Sequence, residues 1–358
     1  MGCSCSRRRI RDVCQLDRSS PLGKGAFGTV WRGTLVPKHA LSASVSRVAV
    51  KELVRKDMRR KGVNEKTVRE EVAFMKECEG ESSIVQCYDF VVNRFAYFIV
   101  MEYCNGGNLT GLVSTQSLTD RRQAGLLKQV LDGIAFLHAR RICHRDIKPD
   151  NVFISLREEA SQAAKIGDFG VAARIAKGKL LKKKTGSPAF MAPEIHLLPA
   201  RSPGYSLPVD LWAVGATLVF LFANEYAFVD EEGRLMKDQI LNGDVPLWNM
   251  SSFRGFFHFA LESVGLARRR PPPAGQDLVR KLLMPRVEER LDVQHALTHD
   301  WLHMDAGSSQ PLMDSLNMSA NKGFESLQQV MSEQWKSFAS VMGMSTTASG
   351  DEHREQSV

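Results

Sequence analysis

The sequence predicts an α+β chain of two lobes, a small β-rich one holding a single helix and a larger helical one after it. Three observations carry this. Residues 29–35 and 47–54 alternate with β-branched residues, and residues 95–101 form a short apolar run, as strands do. Residues 65–77 place Val68, Val72 and Met75 on one face at helical spacing. After Asn105-Gly106-Gly107 the pattern turns helical, over 124–138 and 208–222, so a glycine-containing hinge at 102–107 separates the lobes.

The bulk properties fit this reading. The chain has 358 residues, 43% apolar and 25% charged, the balance of a globular protein. Its longest uncharged apolar run, residues 211–223, is too short for a bilayer span of about twenty and predicts a buried core helix. No apolar signal-peptide region follows Met1, so secretion is not expected. The seven cysteines are odd in number and lack C-x-x-C spacing, which predicts neither a disulfide framework nor a zinc site. Cys78, Cys87, Cys104 and Cys143 sit in apolar or mixed stretches, where reduced thiols act as small hydrophobes.

Charge divides the chain further. The net charge is +8, yet residues 305–358 hold seven acids against three bases. Basic clusters lie at Arg7, Arg8, Arg9 and Arg11, at 55–61, at 177–184 and at 268–270. No homeodomain, RNP or zinc-finger pattern accompanies them, so nucleic acid is not an expected partner. The predicted organisation is a basic segment over 1–18, one domain over 19–304 with its first lobe ending near 102, and a tail over 305–358. Residues 248–275, with Pro271-Pro272-Pro273, read as an extended surface insertion. Within the tail, Phe324, Leu327, Val330, Met331, Trp335, Phe338, Val341 and Met342 predict an amphipathic helix over 324–342.

Chemistry enters with Gly23-Lys24-Gly25-Ala26-Phe27-Gly28. A G-x-G-x-x-G turn lets backbone N–H groups approach phosphate, because no Cβ intervenes. A dinucleotide turn would open a helix, whereas Gly28 leads into Thr29-Val30-Trp31, which predicts a hairpin lid instead. Lys51 ends the apolar strand segment Val48-Ala49-Val50-Lys51. Buried there it needs an anion, either a nucleotide phosphate or a carboxylate from helix 65–77; at a sheet edge it would simply face solvent.

The densest pattern is His144-Arg145-Asp146-Ile147-Lys148-Pro149-Asp150-Asn151, followed by Asp168-Phe169-Gly170. Five fixed residues in H-R-D-x-K-x-x-N arise by chance at roughly one position in three million, at about one in twenty per type. Each has work in phosphoryl transfer. Asp146 can accept a hydroxyl proton, Asn151 and Asp168 can hold Mg²⁺, and Lys148 can neutralise the moving phosphoryl group.

With these motifs in this order, and Ala192-Pro193-Glu194 after them, the chain resembles the eukaryotic protein kinases over about residues 20–304. The resemblance implies the bilobal kinase fold, ATP and Mg²⁺ as cofactors, and proteins as substrates. Lys148 after Arg145-Asp146 implies serine/threonine specificity. Residues 186–194 resemble the calcium/calmodulin-dependent protein kinase kinases and their neighbours. By position, Gly23, Lys24, Gly25, Ala26, Phe27 and Gly28 would cover the phosphates. Leu22, Val30 and Ala49 would roof the adenine, with Phe153 as its floor. Met101 would be the gatekeeper, and Glu102, Tyr103 and Cys104 would offer backbone hydrogen bonds. Glu71 is the expected partner of Lys51, with Glu70 as fallback. Met75, Phe169 and His144 would stack as a spine. Asp210 would steady the catalytic loop, Arg290 would pair with Glu194, and His299-Asp300-Trp301 stands where relatives have H-P-W.

The activation loop departs from the common pattern. It carries Arg174, Lys177, Lys179, Lys182, Lys183 and Lys184, with Thr185 and Ser187 the only hydroxyls between Gly170 and Pro188. Two expectations stand: the loop is ordered by an acidic partner or by no switch, or Thr185 is a phosphorylated regulatory site. Ser187 is expected to bond Lys148 and Asp146.

Met1-Gly2-Cys3-Ser4-Cys5-Ser6 matches the N-myristoylation pattern at Gly2, with Cys3 and Cys5 as palmitoylation sites. One myristoyl chain binds only marginally, and the cysteines and nearby arginines supply further signals. The expected location is the cytoplasmic face of a membrane, most simply the plasma membrane, through an anionic lipid surface. The helix at 324–342 is nearly neutral, so calmodulin is not expected to bind it. A pseudokinase scaffold is the rival reading; it usually lacks one of the lysine and two aspartates that Lys51, Asp146 and Asp168 provide.

Overall fold

The structure, a computed structural model, describes residues 9–25, 28–37, 47–156, 162–230, 232–245 and 271–303. The lipidation sites Gly2, Cys3 and Cys5, the loop residues Ala26 and Phe27, positions 248–270 of the insertion and the helix expected at 324–342 lie outside them.

The first lobe is a six-stranded antiparallel sheet. Its strands are β1 (Cys14–Asp17), β2 (Gly23–Lys24), β3 (Gly28–Leu35), β4 (Arg47–Val54), β5 (Cys87–Val92) and β6 (Ala96–Glu102). The order is β1-β3-β4-β6-β5, with β2 paired to β3. Because β4 lies between β3 and β6, Lys51 is not on an edge strand, and the solvent-facing alternative falls. Alternation along β4 sends Val48 and Val50 to one core and Leu53 to the other.

The domain begins earlier than expected. β1 lies inside the stretch assigned to the basic N-terminal segment, pairing Cys14 with Leu35, and Val13 and Cys14 are buried. Four residues between charged neighbours are too few to register as a period, and the strand is made by β3.

Two helices follow β4, α1 (Arg55–Arg60) and α2 (Glu65–Glu77). In α2 the Asn64 side chain caps the helix by accepting from Thr67 N–H, and Val68, Glu71, Val72 and Met75 form its buried face. Burying such an apolar side chain contributes about 1.5–3 kcal/mol as an upper bound. This face, rather than propensity, docks the helix on Leu53, Tyr97 and Ile99.

The helical lobe contains α3 (Leu109–Thr115), α4 (Asp120–Ala139), α5 (Pro193–His196), α6 (Pro208–Ala223), α7 (Lys237–Asn242), α8 (Pro273–Leu282) and α9 (Val293–Leu297). The apolar run at 211–223 lies in α6, which is buried on all sides. Two short ladders frame the loops between: β7 (Ile142–Cys143) with β10 (Ala173–Arg174), and β8 (Val152–Leu156) with β9 (Gln162–Ile166). The end of the stretch expected as an extended insertion is helical instead. Pro273 occupies the first turn of α8, where a missing N–H costs nothing, and Gly275 is buried close to Phe222. Among the described residues no helix is long and apolar enough to cross a membrane, and the five described cysteines are free.

Candidate active site

The buried face of α2 delivers Glu71 to β4. Lys51 Nζ lies 2.7 Å from Glu71 Oε1 and 2.7 Å from Asp168 Oδ1. Glu70, on the outer face, pairs with Lys66 at 3.8 Å, so the fallback partner is excluded by helix geometry. Burial alone would lower the Lys51 pKa, but the two carboxylates outweigh it and the net shift is upward, so the ammonium stays charged. At Glu71 burial dominates and raises the pKa against the pull of Lys51. At Asp168 the charge of Lys51 dominates and lowers it.

The catalytic loop hangs from Asp210. This carboxylate, wholly enclosed in α6, accepts from the backbone N–H groups of His144 and Arg145, each at 2.9 Å, and lies 2.9 Å from His138 Nε2. Burial pushes its pKa up, yet the His138 hydrogen bond and the neighbouring donors prevail and hold it low. Those bonds fix Arg145 at φ 68°, a left-handed conformation that costs a non-glycine residue about 1–3 kcal/mol. The His144 ring packs edge-on against Phe169 at 5.0 Å, and Phe169 shares a core with Met75, as the spine requires.

Asp146 is held on three sides. Asn151 Nδ2 donates to its Oδ2 at 3.0 Å, Lys148 Nζ lies 3.0 Å from that oxygen, and Ser187 N–H donates to Oδ1 at 2.8 Å. Lys148 also donates to Ser187 Oγ at 2.7 Å, so the expected Ser187 contacts are both present. Gly186 makes this approach possible: it sits at φ 114°, and a Cβ there would collide with the Arg145 carbonyl.

Asn151 and Asp168 suit a hard cation. The Asn151 amide donates through Nδ2 to Asp146 O and Oδ2, leaving Oδ1 as an oxygen ligand. The Asp168 side chain is 45% exposed, with Oδ1 on Lys51. An amide oxygen and a carboxylate are the donor types Mg²⁺ prefers.

The glycine loop fits a phosphate ligand. At Gly28 a Cβ would strike the Glu52 carbonyl, so the sheet itself demands glycine. At Gly23 a Cβ would meet nothing within 4 Å, and at Gly25 only the Gly28 carbonyl at 3.9 Å. Neither has a positive φ, so the fold does not require glycine at either position; close approach by a ligand would. Lys24 is exposed on β2. Ala49 lies on β4 opposite Met101, while Val30 and the 39% exposed Leu22 flank β2. Met101, Cys104 and Phe153 pack against the core that contains Phe169, which brings together the residues expected as gatekeeper, hinge and floor. Glu102 is more committed than expected. Its N–H donates to Gln86 O at 2.9 Å and its carboxylate pairs with Lys165 at 3.1 Å, so a backbone bond to adenine there can come only from its carbonyl. Tyr103 lies under Arg32, whose guanidinium carbon is 5.8 Å from the ring.

Several anchors were not legible in the sequence. The Arg145 guanidinium donates to Val171 O at 2.6 Å, to Ala172 O at 3.4 Å and to Tyr205 Oη at 3.3 Å. Tyr205 in turn donates to Lys183 O at 2.6 Å and forms a two-way backbone bridge with Leu181. Tyr205 lies between Ala192-Pro193-Glu194 and Asp210, in a stretch where the sequence marks no motif. Arg174 is tied to Glu77, so one of the six loop bases is paired. Beside this lattice a cavity of about 170 Å³ is lined by Thr67, Glu70, Arg145, Phe169, Lys183 and Thr185. At the far end of the segment Glu194 receives both arms of Arg290, at 2.7 and 2.9 Å.

Comparison with known proteins agrees with this geometry. The protein kinase domain family matches residues 16–302. Serine/threonine-protein kinase dkf-1 of Caenorhabditis elegans is 30% identical over 81% of this chain and 37% of its own. CBL-interacting protein kinase 21 of Oryza sativa subsp. japonica is 27% identical over 85% and 54%. Calcium-dependent protein kinase 8 of Arabidopsis thaliana is 30% identical over 80% and 48%. The chain thus spans about a third to a half of the length of these relatives.

Proposed function

Since the chain belongs to the protein kinase family, we propose that it transfers the γ-phosphoryl group of ATP to serine and threonine hydroxyls of proteins. The observation that carries this is the Asp146 carboxylate, oriented by Asn151, Lys148 and Ser187 within one loop cluster. Bound Mg·ATP supplies the transferable phosphoryl group and the charge that offsets its oxygens. Asn151 and Asp168 would hold the metal, and the loop at Gly23–Gly28 would lie over the phosphates. Lys51 fixes the phosphate position, because Glu71 and Asp168 clamp its ammonium from two elements. Asp146 orients the acceptor hydroxyl and takes its proton. Lys148, on the same carboxylate, offsets charge as the bond to the acceptor forms. Transfer of radiolabel from ATP to a generic basic protein, with Mg²⁺, tests the reading: wild type labels serine or threonine and Asp146→Asn does not. Equal labelling by both proteins would refute it.

Two finer readings go with this. The activation segment is held in place without phosphate on Thr185, supported by the carbonyl and Tyr205 bonds that occupy Arg145. Stoichiometric phosphate on Thr185 in active protein, with Thr185→Ala inactive, would refute that. The second is acylation at Gly2, Cys3 and Cys5, with Arg7, Arg8, Arg9 and Arg11 adding up to about 1 kcal/mol each on an anionic leaflet. It would place the enzyme on the cytoplasmic face of the plasma membrane. A Gly2→Ala protein that still fractionates fully with membranes would overturn it.

A further inference from the structure

The activation-segment lysines stand unpaired. Lys177, Lys179, Lys182, Lys183 and Lys184 are exposed, and among the described residues no carboxylate forms an ion pair with any of them. By contrast Arg174, in the same segment, is paired with Glu77. Lys184 is two residues from Gly186 and three from Ser187, whose N–H rests on Asp146. At about 3.3–3.6 Å per residue, Lys184 lies within roughly 10 Å of backbone from Ser187, and Lys182 within roughly 17 Å. Exposed Lys237, at the start of α7, joins them. His196 lies 3.1 Å from Pro188 O, and its pKa is lowered first by burial and then by the charges of Lys184 and Lys237. Both lysines therefore project their field onto the segment that follows Ser187. Of the acids around them, Asp230 and Glu232 pair with Arg234, and Glu70, which lines the cavity beside Lys183, pairs with Lys66 at 3.8 Å. Asp238 is the one acid adjoining Lys237.

We propose that Lys182, Lys184 and Lys237 form a substrate-recognition surface for anionic side chains, carboxylate or phosphate, placed a few residues from the acceptor hydroxyl. The surface rests on the kinase reading and deepens it by naming the substrate class. An anion bound at Lys184 is necessarily near an acceptor, because three residues of backbone separate that lysine from Ser187, whose N–H rests on Asp146, and Lys237 faces the same segment through His196. That adjacency favours a peptide over a lipid surface, which needs no acceptor beside it.

The test compares three serine peptides, flanked by alanine, by glutamate or by phosphoserine, on the full-length protein and on the triple variant Lys182→Gln, Lys184→Gln, Lys237→Gln. Three exposed lysine–anion contacts together discriminate by roughly tenfold at low salt, and less above 0.15 M. The kcat/KM ratio of anionic to neutral peptide is therefore expected to be about ten in wild type and near one in the variant, with arginine at the three positions restoring it. Preference for glutamate and phosphoserine alike assigns the carboxylate; preference for phosphoserine alone assigns phosphate. Equal use of all three peptides overturns the proposal. So does a variant that loses phosphatidylserine-vesicle binding with its peptide ratio unchanged, since the surface then serves a membrane. Fluorescence anisotropy of the same peptides on Asp146→Asn protein reads binding without transfer. If no peptide is phosphorylated, the kinase reading fails, and the anisotropy ratios still decide this one.

Discussion

Replacing Asp210 by asparagine removes one charge and almost no volume, so its effect isolates the anchor of the catalytic loop. The carboxylate takes three protein donors at 2.9 Å, two of them backbone N–H groups, in a place without solvent. An amide keeps one acceptor oxygen and turns an NH₂ toward donors. At least one buried N–H then loses its partner, at about 1–3 kcal/mol. Against a total stability of about 5–15 kcal/mol this is a large fraction. Urea unfolding followed by tryptophan fluorescence should show the loss, since Trp212 stacks on Phe228 two residues from the substitution. With an N–H anchor of the His144–Arg145 pair lost, Arg145 is released from φ 68°, so kcat should fall while the KM for ATP changes little. The wild-type carboxyl is held below its usual 3.8, so its contribution is complete above that pH and is lost as pH falls further, through its folded-state value. A stability loss under about 1 kcal/mol together with kcat within threefold of wild type would refute this account of the loop.

Three further outcomes are expected. Lys51→Met leaves Glu71 and Asp168 facing each other without a cation, and kcat should fall about a thousandfold, some 4 kcal/mol; activity within tenfold of wild type would mean the lysine is not the phosphate anchor. Tyr205→Phe removes the hydroxyl that joins Arg145 to Lys183 O, costing about 1 kcal/mol globally, and trypsin should cut after Lys182–Lys184 faster than in wild type. Unchanged cleavage would show that Tyr205 does not hold the segment. The Cys104 thiol, pushed up to about 12 mainly by burial, is ionised to roughly one part in ten thousand at pH 8. Iodoacetamide should therefore label it far more slowly than in urea-unfolded protein, read by peptide mass spectrometry; equal rates would contradict the packing at the hinge.

Legibility followed the range of the forces involved. Helix 65–77 and strand 47–54 agree with the structure to the residue because each announces its own period, one apolar helical face in one case and alternation in the other. The catalytic cluster was readable because phosphoryl transfer needs side chains of fixed type at fixed spacing along one loop. β1 was missed because its order comes from Leu35 and Gly33 across the sheet, not from its own four residues. Tyr205 and the Glu77–Arg174 pair were missed for the same reason: each partner is ordinary in its local context, and only the fold sets them face to face. The Gln86 bond that occupies Glu102 N–H is likewise a product of the chain's return from β5 to β6.

Arg290 carries a consequence for how the helical lobe opens. Its enclosed guanidinium holds Glu194, the Pro208 carbonyl and the carbonyls of Met284 and Pro285 at once. Segments nearly a hundred residues apart thus share one charge that none can release alone. Amide protons of α5, the first turn of α6 and the end of α8 should then exchange with deuterium at one common rate, as a single cooperative unit. Because the clasp closes so large a loop, it is expected to form late in folding, once α6 is in place. A nascent chain that has not yet delivered residue 290 would hold the Glu194 carboxylate without its counter-charge, and the junction of α5 with α6 would stay unfinished until synthesis had passed that point.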